Sequence, residues 1–164
     1  MSDPDNYPVP TRLDHLPSFL LMQSARHVHR MVFDRLDAAD ARGHHYRILA
    51  ALGEGGPSSQ IELGRRCGLD RSDVAAAVDA LSDRRFVERA PDPKDRRRNI
   101  ISLTRRGRHR LSELDDVLTA VQDEAFAPLD ADERAQLTAM LTKIIGHHTR
   151  DRARHNGHVV PRES

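Results

Sequence analysis

The sequence predicts a mainly α-helical fold with a small β-wing, and three observations support this prediction. Six segments carry apolar residues at the three- and four-residue steps of an amphipathic helix. Two of these segments are short and are joined by the tight turn CGLDRS, and a β-rich ribbon follows them directly at residues 86–107. Helix, turn, helix and ribbon in this order form a winged helix-turn-helix, which longer helices flank on both sides.

The first two helices precede this unit. The first is expected over about 16–41, with Pro17 in its first turn and Gly43 closing its end. Its apolar residues form one broad stripe, which needs an apolar partner. The second helix is expected over 44–52 and ends at the turn GEGG.

The third and fourth helices make up the helix-turn-helix. The third is expected over 60–67, with Ser58 or Ser59 as its N-cap, and it ends at a glycine. Asp70 or Ser72 caps the fourth helix, which extends to about residue 85 and carries a helical stripe of valine, alanine and leucine.

The ribbon has a cationic tip. Pro91 and Pro93 are expected in its turn, where they stop the strand ladder, and 99–103 returns as the second strand. Positive side chains crowd the tip between these segments. They are Lys94, Arg96, Arg97 and Arg98. A ribbon with this charge suits a DNA backbone or minor groove.

The last two helices follow the ribbon. Thr104 is expected to cap the fifth helix, which continues to about residue 127 and is broken by Pro128. Asp130 and Glu133 form a capping box for the sixth helix, which is expected to fade after about Arg150.

Composition restricts the class of protein. The chain has 164 residues and a charged fraction of 31%, as expected of a globular domain in the cytoplasm, and it contains no apolar run that could span a membrane. Its start, MSDPDNYPVP, is typical of a loose tail and not of a signal peptide. Cys67 is the single cysteine, which excludes an internal disulfide and agrees with a reducing compartment.

Charge is strongly segregated along the chain, although the net charge is only +1. Residues 84–110 hold eleven lysines and arginines against three acids, a net charge of +8. Residues 111–140 hold eight acids against one arginine, a net charge of −7. One surface of the molecule is therefore expected to attract a polyanion.

These patterns predict a division of the chain into regions. The outer helices carry apolar stripes with no sheet to cover them, so we expect them to pack against a second copy in a homodimer with two-fold symmetry. Such a dimer suits a palindromic DNA site. The predicted regions are a flexible N-terminal tail at 1–15, a helical dimerisation region at 16–43 and 104–150, a winged helix-turn-helix lobe that binds double-stranded DNA at 44–103, and a flexible C-terminal tail at 151–164.

The element order and the string DPKDRRRNIISLTRRG resemble the MarR family of winged-helix transcriptional regulators. The preceding stretch ELGRRCGLDRSDVAAAVDALSDRRFVER is similar to the family's scaffold helix, recognition helix and first wing strand, and the resemblance covers roughly residues 17–148. It implies a dimer that usually represses nearby genes. It also implies release of DNA when a small ligand, often aromatic or phenolic, binds between the dimer region and the DNA-binding lobe.

One departure from the family affects base recognition. The family often has Thr-Arg in the middle of the recognition helix, where this chain has Ala75 and Ala76. Base reading is therefore expected at the start of that helix. The wing and the recognition of DNA shape are expected to supply more of the binding affinity. The predicted DNA-binding residues are Ser59, Gln60, Arg71, Ser72, Asp73, Lys94, Arg96, Arg97 and Arg98. Asp95 is expected to shape the wing by pairing with a neighbouring arginine.

The resemblance also implies a ligand pocket, and the sequence leaves two other functions open. The family's fold suggests an effector site at Arg12, His15, Arg26, His45 and Tyr46, although His15 and Arg26 could equally line the dimer surface. No cofactor, metal site or catalytic constellation is predicted. The alternatives are a winged-helix protein-interaction module that has lost DNA recognition, and a metal-sensing regulator that uses His45 with Cys67.

Overall fold

The computed structural model describes residues 11–92 and 99–156. Helices dominate these ranges, and three short strands form one small sheet, which confirms the mainly α fold with a β-wing. The elements are α1 (Pro17–Ala38), α2 (Gly43–Gly55), β1 (Ser58–Ser59), α3 (Gln60–Cys67), α4 (Arg71–Asp83), β2 (Val87–Pro91), β3 (Asn99–Leu103), α5 (Arg105–Ala125) and α6 (Ala131–Asn156). The chain divides into two compact units, one ending at Ala125 and the other beginning at Phe126.

The wing is the antiparallel pair β2 and β3, as predicted, but the sheet has a third strand that the sequence did not reveal. Strand β1 pairs with β3, so the order is β1-β3-β2. Pro91 was expected in the turn, and this prediction was wrong, because Pro91 pairs with Asn99 as the last residue of β2. Proline is tolerated there because β2 is an edge strand. Pro93 lies outside the described residues.

The core of the first unit joins the helix-turn-helix to the sheet and to α5. Its most deeply buried side chains come from α2, α3, α4, β3 and α5, and they are apolar. They are Ile48, Leu49, Leu63, Val74, Val78, Leu81, Ile101 and Leu114. The starts of α3 and α4 and the base of the wing are thus held on one packed support.

Two helix ends depart from the prediction in the same way. Helix α1 ends at Ala38, not at Ala41, and Gly43 begins α2 instead of closing α1. The left-handed residue that ends α1 is Asp40, with φ of 51°, and it is followed by a hydrogen bond from the Ala41 N–H to the Leu36 carbonyl. This is a Schellman ending, in which an aspartate takes the position that glycine usually fills.

The end of α4 repeats this ending. Arg85 has a φ of 57°, and the Phe86 N–H donates to the Leu81 carbonyl at 2.9 Å. Neither corner contains a glycine, so neither carries the usual sequence signal for a helix stop.

The second unit contains α6. The predicted capping box is confirmed, because the Asp130 carboxylate accepts from the Glu133 N–H at 2.9 Å and the Glu133 carboxylate accepts from the Asp130 N–H at 3.0 Å. Helix α6 continues to Asn156 and so passes the expected end at Arg150. In the single chain, several large apolar side chains of α6 are exposed to solvent, and they include Met140, Ile144 and Ile145.

Candidate nucleic-acid interface

Side-chain caps fix the starts of the two helices of the helix-turn-helix. Ser59 caps α3: its hydroxyl accepts from the Glu62 N–H at 3.3 Å, and the Glu62 carboxylate accepts from the Ser59 N–H at 2.8 Å. Asp70 caps α4 by accepting from the Asp73 N–H at 2.8 Å and from the Ser72 hydroxyl at 2.7 Å. These hydrogen bonds, that of Asp73 foremost, lower the pKa of Asp70, so the cap stays ionised.

A cavity of about 590 Å³ opens between these helix starts and the wing. Three of the predicted DNA-binding residues line it together, namely Ser59, Gln60 and Arg71. The structure adds lining residues that the sequence reasoning missed, and these are Ile61, Arg65, Arg89 and Asn99. The sequence contains many arginines, and their number alone does not indicate which of them line this cavity. Arg65 on α3 and Arg89 on β2 come together only in the folded chain.

The cavity is electropositive. Among the residues that the structure describes, three arginines line it, Arg65, Arg71 and Arg89, and none of these lining residues carries a carboxylate. The first residues of α3 and α4 also lie there, so the positive ends of two helix dipoles face the same space. Arg89 on β2 also forms an ion pair with Asp79 on α4, which offsets the charge of Arg89 and ties the wing to α4.

The solvent-facing side of α4 carries few groups that could read bases. Arg71 and Ser72 are exposed at its start, Asp73 and Ala75 are half-buried, and Ala76 is exposed in the middle. Alanine can contact only a thymine methyl group, whereas arginine can bind guanine through two hydrogen bonds. The polar base-reading capacity of α4 is therefore concentrated in its first turn.

Part of the predicted interface lies outside the described residues. These predicted residues are Lys94, Asp95, Arg96, Arg97 and Arg98, which belong to the segment between β2 and β3. Their assigned roles in DNA binding and wing shape stay predictions.

The predicted effector residues lie in three different elements. Arg12 and His15 are in the turn before α1, Arg26 is in α1, and His45 and Tyr46 are in α2. The Tyr46 hydroxyl donates to the Asp115 carboxylate of α5 at 3.0 Å. None of the five lines the cavity described above.

The two α2 residues of this set have altered acid–base properties. Burial raises the pKa of Tyr46, and its hydrogen bond to Asp115 adds to the shift. Burial lowers the pKa of His45, with repulsion from Arg42 and Arg84 adding to the effect. Both groups are therefore held in their neutral forms near pH 7.

Cys67 has the environment of a structural thiol. Its thiol donates to the Arg47 carbonyl at 3.4 Å, and burial raises its pKa. Within residues 11–92 and 99–148, whose side chains the structure describes, no group of three or more histidine, cysteine, aspartate or glutamate side chains could hold a metal ion. None of the helices in these ranges combines the length and apolar composition that a membrane span requires.

Known proteins resemble the chain over most of its length. A family model described as MarR family matches residues 39–98. The HTH-type transcriptional repressor NicR of Pseudomonas putida is 31% identical over 127 residues, which cover 76% of this chain and 80% of NicR. A probable transcriptional regulator from Pseudomonas aeruginosa has a similar crystal structure, with a TM-score of 0.71 and 29% identity over 81% of this chain and 99% of that one. The PcaV regulator of Streptomyces coelicolor, in complex with its natural ligand, gives a TM-score of 0.69 and 26% identity over 85% and 97%.

Proposed function

Because the chain belongs to the MarR family of transcriptional regulators, we propose that it is a repressor that binds a palindromic operator as a homodimer. A small phenolic or aromatic-acid ligand releases it from DNA. The related NicR is a transcriptional repressor, and this similarity supports repression over activation of transcription.

One observation carries the proposal: the electropositive cavity at the starts of α3 and α4. Ser59, Gln60 and Arg71 line it with two further arginines, so hydroxyl, amide and guanidinium groups converge on one face. Such groups bind phosphates and position a duplex, while Arg71, at the first position of α4, can reach base edges. Ser72 and Asp73 follow Arg71 in the same turn and complete the base-reading set.

The wing is proposed to supply a second set of contacts to DNA. The basic residues proposed to contact the DNA backbone here are Lys94 and Arg96 to Arg98, which the sequence places between β2 and β3. The proposed role of Asp95 is the one expected from the sequence, to shape the wing by pairing with a neighbouring arginine. Contacts of this kind carry little sequence information, but they make affinity depend steeply on salt.

The apolar residues that each unit leaves exposed support the proposed homodimer. In the first unit, α1 exposes Leu20, Leu21 and Phe33. In the second unit, α6 exposes Met140, Ile144 and Ile145. Exposed apolar residues in such number are typical of an interface, and a second copy of the chain would cover both faces and place two recognition helices for a two-fold operator.

The effector site is proposed at Arg12, His15, Arg26, His45 and Tyr46. An arginine can bind a ligand carboxylate through a charge-assisted hydrogen bond, and neutral His45 and Tyr46 can bind a phenolic hydroxyl. The PcaV regulator, whose structure is similar to this one, binds a natural ligand, and this similarity supports a ligand site in this chain. The ligand acts by favouring a spacing of the recognition helices that no longer fits successive major grooves.

The test is fluorescence anisotropy with a duplex from upstream of the protein's own gene, titrated at several salt concentrations. Arg97→Ala should weaken binding to all sequences and flatten the salt dependence by about one unit of slope. Arg71→Ala should also reduce discrimination against a mismatched operator by about 1–3 kcal/mol. Arg47→Ala, an exposed arginine outside the cavity, is the matched control.

Two results would separate the alternatives. Unchanged operator affinity in both variants would contradict the assigned contact residues. Absence of salt-dependent operator binding by the wild-type protein would contradict DNA binding and favour a protein-interaction module. An operator affinity that depends on added zinc, and that His45→Gln abolishes, would favour a metal sensor. A thermal-shift screen with phenolic acids identifies the ligand class, and Ile144→Glu should convert a dimer into a monomer in light scattering.

A further inference from the structure

A second cavity, of about 670 Å³, lies where α4 leads into the wing and α5 begins. Its walls are mostly cationic. It is lined by Arg84, Phe86, Arg105, Arg106, His109, Arg110 and Glu113. None of these residues is among those predicted to bind DNA or the effector, so the proposed function leaves the cavity without a role.

An aromatic ring organises the cations. The guanidinium carbons of Arg84, Arg106 and Arg110 lie 5.1, 5.3 and 5.9 Å from the centre of the Phe86 ring. Phe86 itself is buried, with 6% of its surface exposed, so the ring is a fixed platform. A guanidinium that packs on a ring keeps its N–H edges available for oxyanions.

Two of the arginines are anchored by the protein. Arg84 binds the Asp40 carboxylate at 2.6 Å and the Asp40 carbonyl at 2.9 Å. Arg110 binds the Glu113 carboxylate at 2.8 Å and also donates to the Ala39 carbonyl. The hydrogen bond from Arg110 lowers the pKa of Glu113, which therefore remains ionised and offsets one positive charge.

The other two arginines retain their charge for a ligand. Among the side chains described, those of residues 11–92 and 99–148, Arg105 has no polar partner, and Arg106 contacts Phe86 without forming an ion pair. Four arginines line the cavity, and Asp40 and Glu113 each neutralise one of them, which leaves a net charge of +2 when His109 is neutral. Like charges this close repel one another, and an anion that binds between them removes the repulsion.

The location separates this cavity from the DNA-facing one. Arg71 begins α4 and lines the first cavity, whereas Arg84 follows the end of α4 and lines the second. A helix of 13 residues spans about 18 Å between its first and last residue positions, and so divides the two clusters. The second cluster thus sits at the base of the wing, at the opposite end of the recognition helix.

We propose that the cavity built on Phe86 is a binding site for a small polyanion with bidentate oxyanion groups, either a phosphorylated or a multiply carboxylated metabolite. Arg105 and Arg106 bind the ligand directly. The Nδ1 atom of His109 already lies 3.0 Å from the Glu113 carboxylate, so Nε2 of His109 adds a further hydrogen bond. Arg84 and Arg110, fixed by Asp40 and Glu113, form the floor. A monoanion engages too few of these groups to bind well.

Isothermal titration calorimetry at constant ionic strength tests this proposal with two probes, inorganic pyrophosphate for phosphate groups and citrate for carboxylates. At least one probe should bind saturably with one site per chain, and acetate should not bind. The double variant R105Q/R106Q should weaken binding about tenfold or more, because it removes two charge-assisted contacts. The control R47Q changes an exposed arginine outside both cavities and should bind as the wild type does.

Both substituted side chains are exposed, so the double variant should keep a melting temperature within a few degrees of the wild type. Saturable binding that R105Q/R106Q weakens and R47Q leaves intact supports the site. Absence of saturable binding with both probes overturns the proposal, and so does equal binding by the double variant. Loss of pyrophosphate binding in R71Q would assign the anion to the DNA-facing cavity and overturn it as well.

Discussion

Substituting Gly107 by alanine tests how α5 is joined to the wing. Gly107 is buried in the first turn of α5, and a Cβ atom built there would lie 1.9 Å from the Phe86 carbonyl oxygen and 2.9 Å from its carbon. That oxygen cannot move freely, because it accepts hydrogen bonds from the Thr104 N–H and from the Thr104 hydroxyl, both at 3.1 Å. The same hydroxyl accepts from the Gly107 N–H at 2.9 Å.

The cost follows from this geometry. To bring the contact from 1.9 Å to the 3.0 Å that real Cβ atoms require, α5 and the wing base must separate by roughly 1 Å. Overpacking of this kind costs about 1–3 kcal/mol, and each weakened hydrogen bond around Thr104 adds up to about 1 kcal/mol. Alanine's higher helix propensity returns about 1 kcal/mol. The net loss is about 2–3 kcal/mol, which lowers the melting temperature by about 4–12 °C in a chain of this size.

Calorimetry or urea denaturation of G107A measures this loss, and Gly43→Ala supplies the control. Gly43 also lies in the first turn of a helix, but a Cβ atom there has no neighbour within 4 Å. G43A should therefore keep or slightly raise the melting temperature. If G107A were as stable as G43A, the close contact between α5 and Phe86 would be wrong, and with it the account of how the wing base is held.

Three further predictions concern charge and the thiol. Asp79→Asn should steepen the salt dependence of DNA binding by up to about one unit, because it releases Arg89 from its ion pair at the DNA-facing cavity; an unchanged slope would contradict this. Because the folded-state pKa of His45 lies below the 6.5 of the unfolded chain, the unfolded chain binds the extra proton, and stability should fall as pH drops below about 7. His45→Gln should flatten that decline between pH 7.5 and 5.5 in urea titrations. Cys67, whose pKa is raised by burial, should react with a thiol reagent at pH 7 more slowly in the folded than in the unfolded protein, and peroxide should leave operator binding intact.

Local chemistry made most of the helix starts predictable from the sequence. Ser59 and Asp70 are cap residues, and Asp130 with Glu133 is a capping box, so short-range hydrogen bonds fix all three starts. The helix ends were less predictable. Asp40 and Arg85 adopt the left-handed conformation that ends α1 and α4. Glycine is the usual sequence signal for such an ending, and neither position has one.

Strand β1 shows the same limit in the sheet. It has only two residues, and it is a strand only because Ser58 pairs with Ile101, far along the chain. No periodic pattern of two residues could reveal it. The residues of the candidate site show the same contrast. The position of Arg71 at a helix start was predictable from the sequence, whereas Arg65 and Arg89 reach the same cavity only through the tertiary fold.

The tertiary contacts at the end of α4, the proposed recognition helix, tie this helix to the rest of the first unit. Arg84 ties that end to Asp40 in the α1–α2 corner, and Arg110 of α5 donates to the neighbouring Ala39 carbonyl. Thr104 ties the start of α5 to the carbonyl of Phe86 at the wing base. The first helix, the recognition helix, the wing and α5 therefore meet in one hydrogen-bonded junction. Any movement of α1 or α5 that alters this junction must also displace α4, because close-packed elements shift together.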